Sequence, residues 1–367
     1  MRLRKKNRRP ASTVDLQTDR YSTAYLDRLS AGFLLLSQWF LALRPVPEFV
    51  WTRTGVNSLL IRFVQDMFNA NAPLYLVTHA VLAFEKHYPH YHRKLAPTWA
   101  SIRSWKLRST FGLRVPMPPQ VLYSLVLYAF LMGFQLDPLH SHLWLPFGIQ
   151  LWMGYEGLLR PGELHKVTRR HLSLPSNAAC SFVNCVMILI SEPKNKGHFG
   201  RMQTAIVRHP SLIKWIEWLC TDLPVNARLN TMSLPVMRTQ LKIMLRALGL
   251  QKLNLTLASL RSGKATALYT EGVSTDRIRF EGRWKSIHTL EHYVQEASAA
   301  SVLNTISNQS GDLIHTLHAN LHLLEHPPKL PWYHYFSRQR QLSKLANLSK
   351  SCRSQSQKFS ICPESRR

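Results

Sequence analysis

Three short segments carry the side chains best able to do chemistry. In Gly157-Leu158-Leu159-Arg160-Pro161-Gly162-Glu163-Leu164 an Arg and a Glu stand three positions apart, on one face if the chain there is helical. In Leu260-Arg261-Ser262-Gly263-Lys264-Ala265-Thr266 an Arg enters a run of small residues, and in Gly282-Arg283-Trp284-Lys285-Ser286-Ile287 the Trp is followed nine positions later by Tyr293. Each has an ordinary explanation when taken alone: a surface ion pair, a solvated Arg, a core Trp, one of twelve tyrosines. As chemistry, guanidinium forks hold phosphate oxygens and a phenol is a latent nucleophile. The charge balance favours such a partner. Lys and Arg number 47 against 20 Asp and Glu, a net +27 with a pI near 10.4. That excess points to a polyanion, nucleic acid or an anionic membrane, before an acidic small molecule.

Taken in order, the three segments resemble the tyrosine recombinase, or phage integrase, family of DNA breaking and rejoining enzymes. Gly157 to Glu163 matches that family's Gly-Leu-Arg-x-x-Glu segment with one added Leu. A Lys on a hairpin turn comes next, for which the chain offers Lys194 and Lys196. The His-x-x-Arg box is matched by Ala258-Ser259-Leu260-Arg261, with Ala258 where His is usual. Trp284 and Tyr293 match the final box and the nucleophile. The close match runs from Gly154 to about Ala297. The resemblance implies catalytic roles for Arg160, Lys194, Arg261, Trp284 and Tyr293, with Glu163 buttressing the site and Lys196 as the alternative Lys. It also implies transesterification through a covalent 3′-phosphotyrosine, without metal or ATP.

Physical chemistry explains those residue types. Cleaving a phosphodiester without a metal needs a nucleophile near phosphorus and fixed positive charge where the phosphorane oxygens gain charge. Arg160 and Arg261 are the expected clamp, since a guanidinium stays charged and donates to two oxygens at once. A Tyr phenol, with a pKa of about 10, becomes a better nucleophile beside such a clamp. The leaving 5′ oxygen needs a proton, expected from Lys194 or Lys196, and the Trp284 indole N–H is expected to donate to a phosphate oxygen. Ala258 removes one donor, which by analogy with oxyanion-hole variants slows the step roughly a hundredfold.

The elements that must position these groups can be read in outline. The expected fold is mainly α with a small β-hairpin or sheet, an α+β catalytic domain joined to a helical one as a DNA clamp. Residues 1–20 form a basic arm, and 21–106 a helical core-binding domain in which Leu60, Phe63, Val64, Met67 and Phe68 share a face, as do Leu76, Val77, Ala80, Val81 and Phe84. Residues 107–120, basic and rich in Pro, read as a linker. Residues 121–330 form the catalytic domain, with strands Phe182 to Ser191 and Arg201 to Val207 in one hairpin and a helix resuming at Ser211. Residues 331–367 are a basic, Ser-rich tail expected to be disordered. DNA contacts are expected from Lys106, Arg108, Arg114, Arg201, Lys264 and Arg283. An amphipathic helix over 311–325, with Leu313, Leu317, Leu321 and Leu324 on one side, packs on its own domain or docks into a neighbouring protomer, which would link it to a homo-oligomeric, tetrameric synapse on double-stranded DNA.

Other classes are disfavoured. Cys180, Cys185, Cys220, Cys352 and Cys362 include no C-x-x-C pair and are odd in number, against a zinc ribbon or a disulfide scaffold. His87, His90 and His92 lack a second group spaced to complete a metal site, and no Gly-x-x-x-x-Gly-Lys-Ser/Thr loop is present, so no cofactor is expected. Val115 to Leu136 holds no charged residue, but its three prolines and polar positions leave an apolar core of about 14 residues, read as a buried helix and not a membrane span. No secretory leader is expected, because Met1 to Pro10 carries six Lys or Arg. The run Arg2 to Arg9 reads as a nuclear address or a DNA-gripping arm, placing the protein in the nucleus of a eukaryote and otherwise in the cytoplasm or nucleoid. The Leu-Arg-Pro-Gly-Glu variant and the absent His resemble eukaryotic mobile-element recombinases. A type IB topoisomerase-like enzyme and a recombinase-derived DNA-binding protein remain as alternatives.

Overall fold

Apolar residues at helical spacing build most of the elements in this computed structural model, which describes residues 21, 23–43, 51–108, 115–135, 138–176, 184–193, 202–221 and 223–329. The chain divides into two units, Met1–Gly112 and Leu113–Arg367. In the first, helices α1 (Thr23–Ala42), α2 (Arg53–Asn69), α3 (Leu74–His87) and α4 (Ala96–Arg108) surround one core. The two expected stripes point inward: Leu60, Phe63 and Val64 from α2, and Val77, Ala80, Val81 and Phe84 from α3, are buried. α1 lies directly on α3 because Gly32 has no side chain; a Cβ there would sit 2.5 Å from the Ala80 nitrogen. Asn57, buried in α2, accepts from the Thr98 hydroxyl at 2.9 Å and ties α4 to the bundle.

The second unit opens with two helices, α5 (Pro119–Gln135) and α6 (Pro138–Glu156). Both are apolar nearly all round because they form the middle of the core, where Val121, Leu125, Phe130, Phe147 and Trp152 are fully enclosed. Among the described residues no helix is long and apolar enough to cross a membrane. After the short helix α7 (Pro161–Lys166) come strands β1 (Leu172–Ser173), β2 (Val186–Ile190) and β3 (Gln203–Val207), antiparallel in the order β1-β2-β3. Val186 pairs with Val207 and Ile188 with Ala205, so the alternating apolar residues of both strands face the core. Strands β2 and β3 lie within the two runs expected to form the hairpin. β1 was not anticipated, since two residues show no period. Lys194, Lys196 and Arg201 lie outside the described residues, as do the basic arm, Arg114 and the Ser-rich tail.

Helices α8 (Pro210–Cys220), α9 (Leu234–Ala247), α10 (Ser259–Thr270), α11 (Thr275–Gly282), α12 (Ile287–Glu291), α13 (Glu296–Asn304) and α14 (Asn308–His318) complete the unit. Two expectations need correction. Residues 107–120 are not a free linker throughout: α4 runs through Arg108, and Pro116, Met117 and Pro118 are buried. The Met117 N–H donates to Ser259 O at 3.0 Å, and Gly263 leaves room for the strap, since a Cβ there would lie 2.2 Å from Met117 O. Proline lacks an amide donor, so such a segment enters a core with few N–H groups to satisfy. The helix expected over 311–325 is instead α14 followed, after Ala319 and Asn320, by a single 3₁₀ turn over Leu321–Leu324. Ile314, Leu317 and Leu324 join the core of their own unit, and the Trp215 indole donates to Leu324 O at 2.8 Å.

Candidate active site

Two helix ends supply the frame of the site. At the end of α6, the Leu158 N–H bonds Tyr155 O at 3.1 Å and the Leu159 N–H bonds Gly154 O at 3.0 Å, a Schellman closure with Leu158 at φ 49°. A left-handed leucine costs roughly 1–2 kcal/mol. Packing offsets it: the Leu158 side chain is buried among Ala265, Ile278, Trp284 and Leu290. The turn carries Arg160 to the start of α7, where Pro161 fits the first helical position and Glu163 closes the turn. The Glu163 carboxylate accepts from the Arg160 backbone N–H at 3.0 Å and from its Nη1 at 2.6 Å.

α11 ends the same way. Arg283 is left-handed at φ 58°, its N–H bonds Phe280 O at 3.1 Å, and the Trp284 N–H bonds Arg279 O at 3.0 Å. Gly282 is required, because a Cβ there would stand 1.6 Å from a ring carbon of Trp284, which folds back over it. From this turn Ser286 caps α12, accepting from the Thr289 N–H at 3.3 Å, and the short helix returns Tyr293 to α10, where Tyr293 O accepts from the Thr266 hydroxyl at 3.2 Å.

Arg261, in the first turn of α10, stands between the two helix ends. It is 2% exposed. Its Nη1 donates to Leu158 O at 2.5 Å and its Nη2 to Gly282 O. The guanidinium carbon lies 4.3 Å from the centre of the Trp284 ring and 5.6 Å from that of Tyr293, and those two rings are 5.0 Å apart. Arg283 donates from Nη2 to Leu158 O and to Glu163 Oε2, each at 3.1 Å. Thus Arg160, Glu163, Arg261, Trp284 and Tyr293 share one locality, and Arg283 joins them.

The electrostatics follow from burial and crowding. Burial pushes the Glu163 carboxyl up, but Arg283, the Arg160 amide and the Arg160 guanidinium together hold it below the usual carboxylate range. Burial, then the Arg160 and Arg283 charges, lower the Arg261 pKa, while Glu163 and Tyr293 oppose them. Arg283 is lowered by burial and restored in part by Glu163. Arg261 and Arg283 remain cationic near neutrality.

Several expected contacts fall differently. Arg283 does not face solvent for DNA; it is 5% exposed, because the left-handed turn directs its side chain back onto Glu163. Lys264 is paired with Glu156 at 2.9 Å and largely covered. Lys106 and Arg108 are exposed at the end of α4. The Trp284 Nε1–H is buried and has no acceptor among the described residues. Two of the five N–H donors of Arg261 are held by carbonyls, and its Nε has no partner among the described residues. Ala258 precedes α10, half-buried, with no donor of its own. Among the described residues no group of three His, Cys, Asp or Glu is arranged to hold a metal. Sequence reasoning missed Arg283 as part of the ion network; its signal was an Arg between the helix-ending Gly and the Trp.

No protein-family model and no curated protein matches the chain in sequence. Solved structures do match in three dimensions. The XerH site-specific recombinase bound to palindromic difH substrate, in a post-cleavage complex, aligns at a TM-score of 0.52 and 14% identity, over 78% of this chain and 82% of that one. The Tn1549 transposon integrase in complex with transposon right-end DNA aligns at a TM-score of 0.52 and 13% identity, over 80% of this chain and 94% of that one. A mainly helical unit with a three-stranded antiparallel sheet, closed around the two helix ends that hold Arg261, thus has the tyrosine recombinase fold.

Proposed function

We propose that the protein is a site-specific DNA strand-transfer enzyme acting through a phosphotyrosine. Tyr293 Oη passes its proton to water and bonds phosphorus, the bond from phosphorus to the 5′ oxygen breaks, and that oxygen takes a proton from Lys194 or Lys196. Reversal with a different 5′ hydroxyl joins a new strand. Arg160 and Arg261 bind the non-bridging oxygens, with donors left over after their protein contacts. The Trp284 Nε1–H, which has no acceptor among the described residues, supplies a third donor. Glu163 and Arg283 position Arg160 and the carbonyl that holds Arg261. The observation that carries this reading is the meeting of Arg261, Trp284 and Tyr293, from separate segments, in one cluster beside Arg160. The DNA-bound proteins of like fold support duplex DNA as the partner.

A nicked suicide duplex, in which the cleaved end diffuses away, tests it. A covalent protein–DNA adduct is expected from the full chain and not from Tyr293→Phe. Arg160→Ala and Arg261→Ala abolish the adduct while retaining much of the duplex affinity, which falls steeply with salt. Salt-sensitive binding without an adduct would sink the catalytic reading and favour a DNA-binding derivative, for which Ala258 is the motivating residue.

A further inference from the structure

The mechanism above leaves one largely buried ion pair without a role. Glu156 ends α6, two residues before the Leu158 carbonyl that Arg261 and Arg283 share, and Lys264 lies on α10 three residues after Arg261. Lys264 Nζ stands 2.9 Å from Glu156 Oε2, with 18% and 9% of the two side chains exposed. The ring of Tyr155, itself enclosed, has its centre 5.6 Å from the ammonium. His209 is the nearby group that could compete for the carboxylate. Burial lowers its pKa, with Glu156 and Lys264 acting in opposite senses, so at neutral pH it stays uncharged and leaves Glu156 to Lys264.

Stability does not explain the pair. Taking two charges out of water costs about what their attraction returns, and apolar side chains of similar volume serve a core as well or better. What an ion pair adds is a fixed distance and direction. α6 and α10 also meet through an apolar contact, where Gly154 is bare and Leu260 Cδ1 passes 3.0 Å from the place a Cβ would take. Such a contact permits sliding. The bond from Arg261 Nη1 to Leu158 O is one polar fixed point between the end of α6 and α10. Lys264 to Glu156 is a second, about one turn further along α10. Two points set an orientation where one leaves a hinge. Because Arg160 follows Leu158 by two residues, they also set the spacing of the two guanidiniums assigned to one phosphate. We infer that Glu156 and Lys264 are positioning residues for strand transfer, their ion pair holding α10 in register on the end of α6 so that Arg261 and Arg160 address the same phosphate. The inference rests on the strand-transfer reading above and gives Lys264 a role other than DNA contact.

The nicked duplex tests it with the full-length protein, below the onset of melting. The rate of adduct formation at saturating protein is read separately from the protein concentration that half-saturates it. Glu156→Leu together with Lys264→Met replaces the pair by apolar side chains of similar volume, so the fold is expected to hold. Its saturating rate should fall at least about tenfold, with half-saturation within about twofold, since misplacing a reacting group slows the step without weakening dispersed phosphate contacts. Glu156→Gln should slow the saturating rate in the same way. If Lys264 instead served DNA directly, Glu156→Gln would release its charge and tighten binding, and the apolar pair would weaken it. Either shift in half-saturation, with the saturating rate unchanged, overturns the proposal. A saturating rate for the apolar pair within about twofold of the unaltered protein overturns it as well, and where that pair fails to fold, Glu156→Gln decides by the same limit. An adduct that forms at a rate indifferent to the pair leaves the enzyme reading standing, whereas no adduct from the unaltered protein overturns both.

Discussion

Glu163→Gln tests whether the buried carboxylate holds the arginine cluster together. The native carboxylate, 5% exposed as a side chain, accepts from Arg160 Nη1, the Arg160 amide and Arg283 Nη2 at 2.6, 3.0 and 3.1 Å. Glutamine keeps the shape but presents one amide nitrogen to a donor and leaves Arg283, 5% exposed, without its counter-ion. Breaking a buried pair from one side costs about 3–5 kcal/mol, and the lower end applies because Arg160 retains 18% side-chain exposure and can find water. About 3 kcal/mol is a factor of roughly 150 in the opening equilibrium of this region. Hydrogen exchange of peptides from α10, which hold Arg261, should lose about that much protection at neutral pH. The acid side gives a second readout. Because the native carboxyl titrates below its ordinary 4.5, its contribution is complete above that value and disappears as pH falls through the lower native pKa. Stability of the unaltered protein therefore declines through that window with a slope that Glu163→Gln reduces. Protection within about threefold of the unaltered protein at neutral pH, or an unchanged acid slope, would refute the argument.

Other substitutions probe the two helix ends. Gly282→Ala puts a methyl 1.6 Å from a Trp284 ring carbon, so the indole must leave Arg261; a loss of about 1–3 kcal/mol with a shifted tryptophan emission is expected in thermal melts, and an unchanged spectrum would contradict it. Leu158→Gly relieves a left-handed leucine but removes a side chain 2% exposed, and the packing loss outweighs the relief by about 2 kcal/mol; a stabilised variant would show that strain dominates. Burial pushes the Cys220 thiol up to about 12, so at pH 8 iodoacetamide should modify it only after denaturation, as read by peptide mass. Labelling of the folded protein at the rate of a free thiol would place Cys220 in a different environment.

What was legible in the sequence, and what was not, follows from the range over which each cause acts. The hairpin and the inward stripes of α2 and α3 are local patterns: a β-rich run, or an apolar period of about 3.6, is present in a few consecutive residues. The grouping of Arg160, Glu163, Arg261, Trp284 and Tyr293 was legible for another reason, since their order and spacing resemble the motifs of the tyrosine recombinase family. The burial of Met117 was not legible, because it depends on Ser259 O and on the missing side chain of Gly263, far along the chain. The burial of Arg283 was not legible either. A cation next to Lys285 reads as solvated until Glu163 is known to stand behind it. The positive φ of Leu158 leaves no trace in a leucine.

The same two helix ends explain how three guanidiniums coexist with one carboxylate in so small a volume. Leu158 O and Gly282 O lie where α6 and α11 terminate, and the last carbonyls of a helix carry the negative end of its dipole with no intrahelical donor to satisfy them. Arg261 and Arg283 occupy those acceptors, so the two turns supplement Glu163, the carboxylate that pairs with Arg283. The Trp284 face adds a further negative surface at 4.3 Å. Partial charges of this kind stabilise a cation without neutralising it, so positive potential remains around Tyr293 once every protein contact has formed. A second carboxylate in place of either carbonyl would have reduced it. A phosphodiester, singly charged and bearing two free oxygens, is the partner that the surplus and the spare donors suit under the proposed function, and it would be met by dipoles already fixed by the ends of two helices and needing no reorganisation.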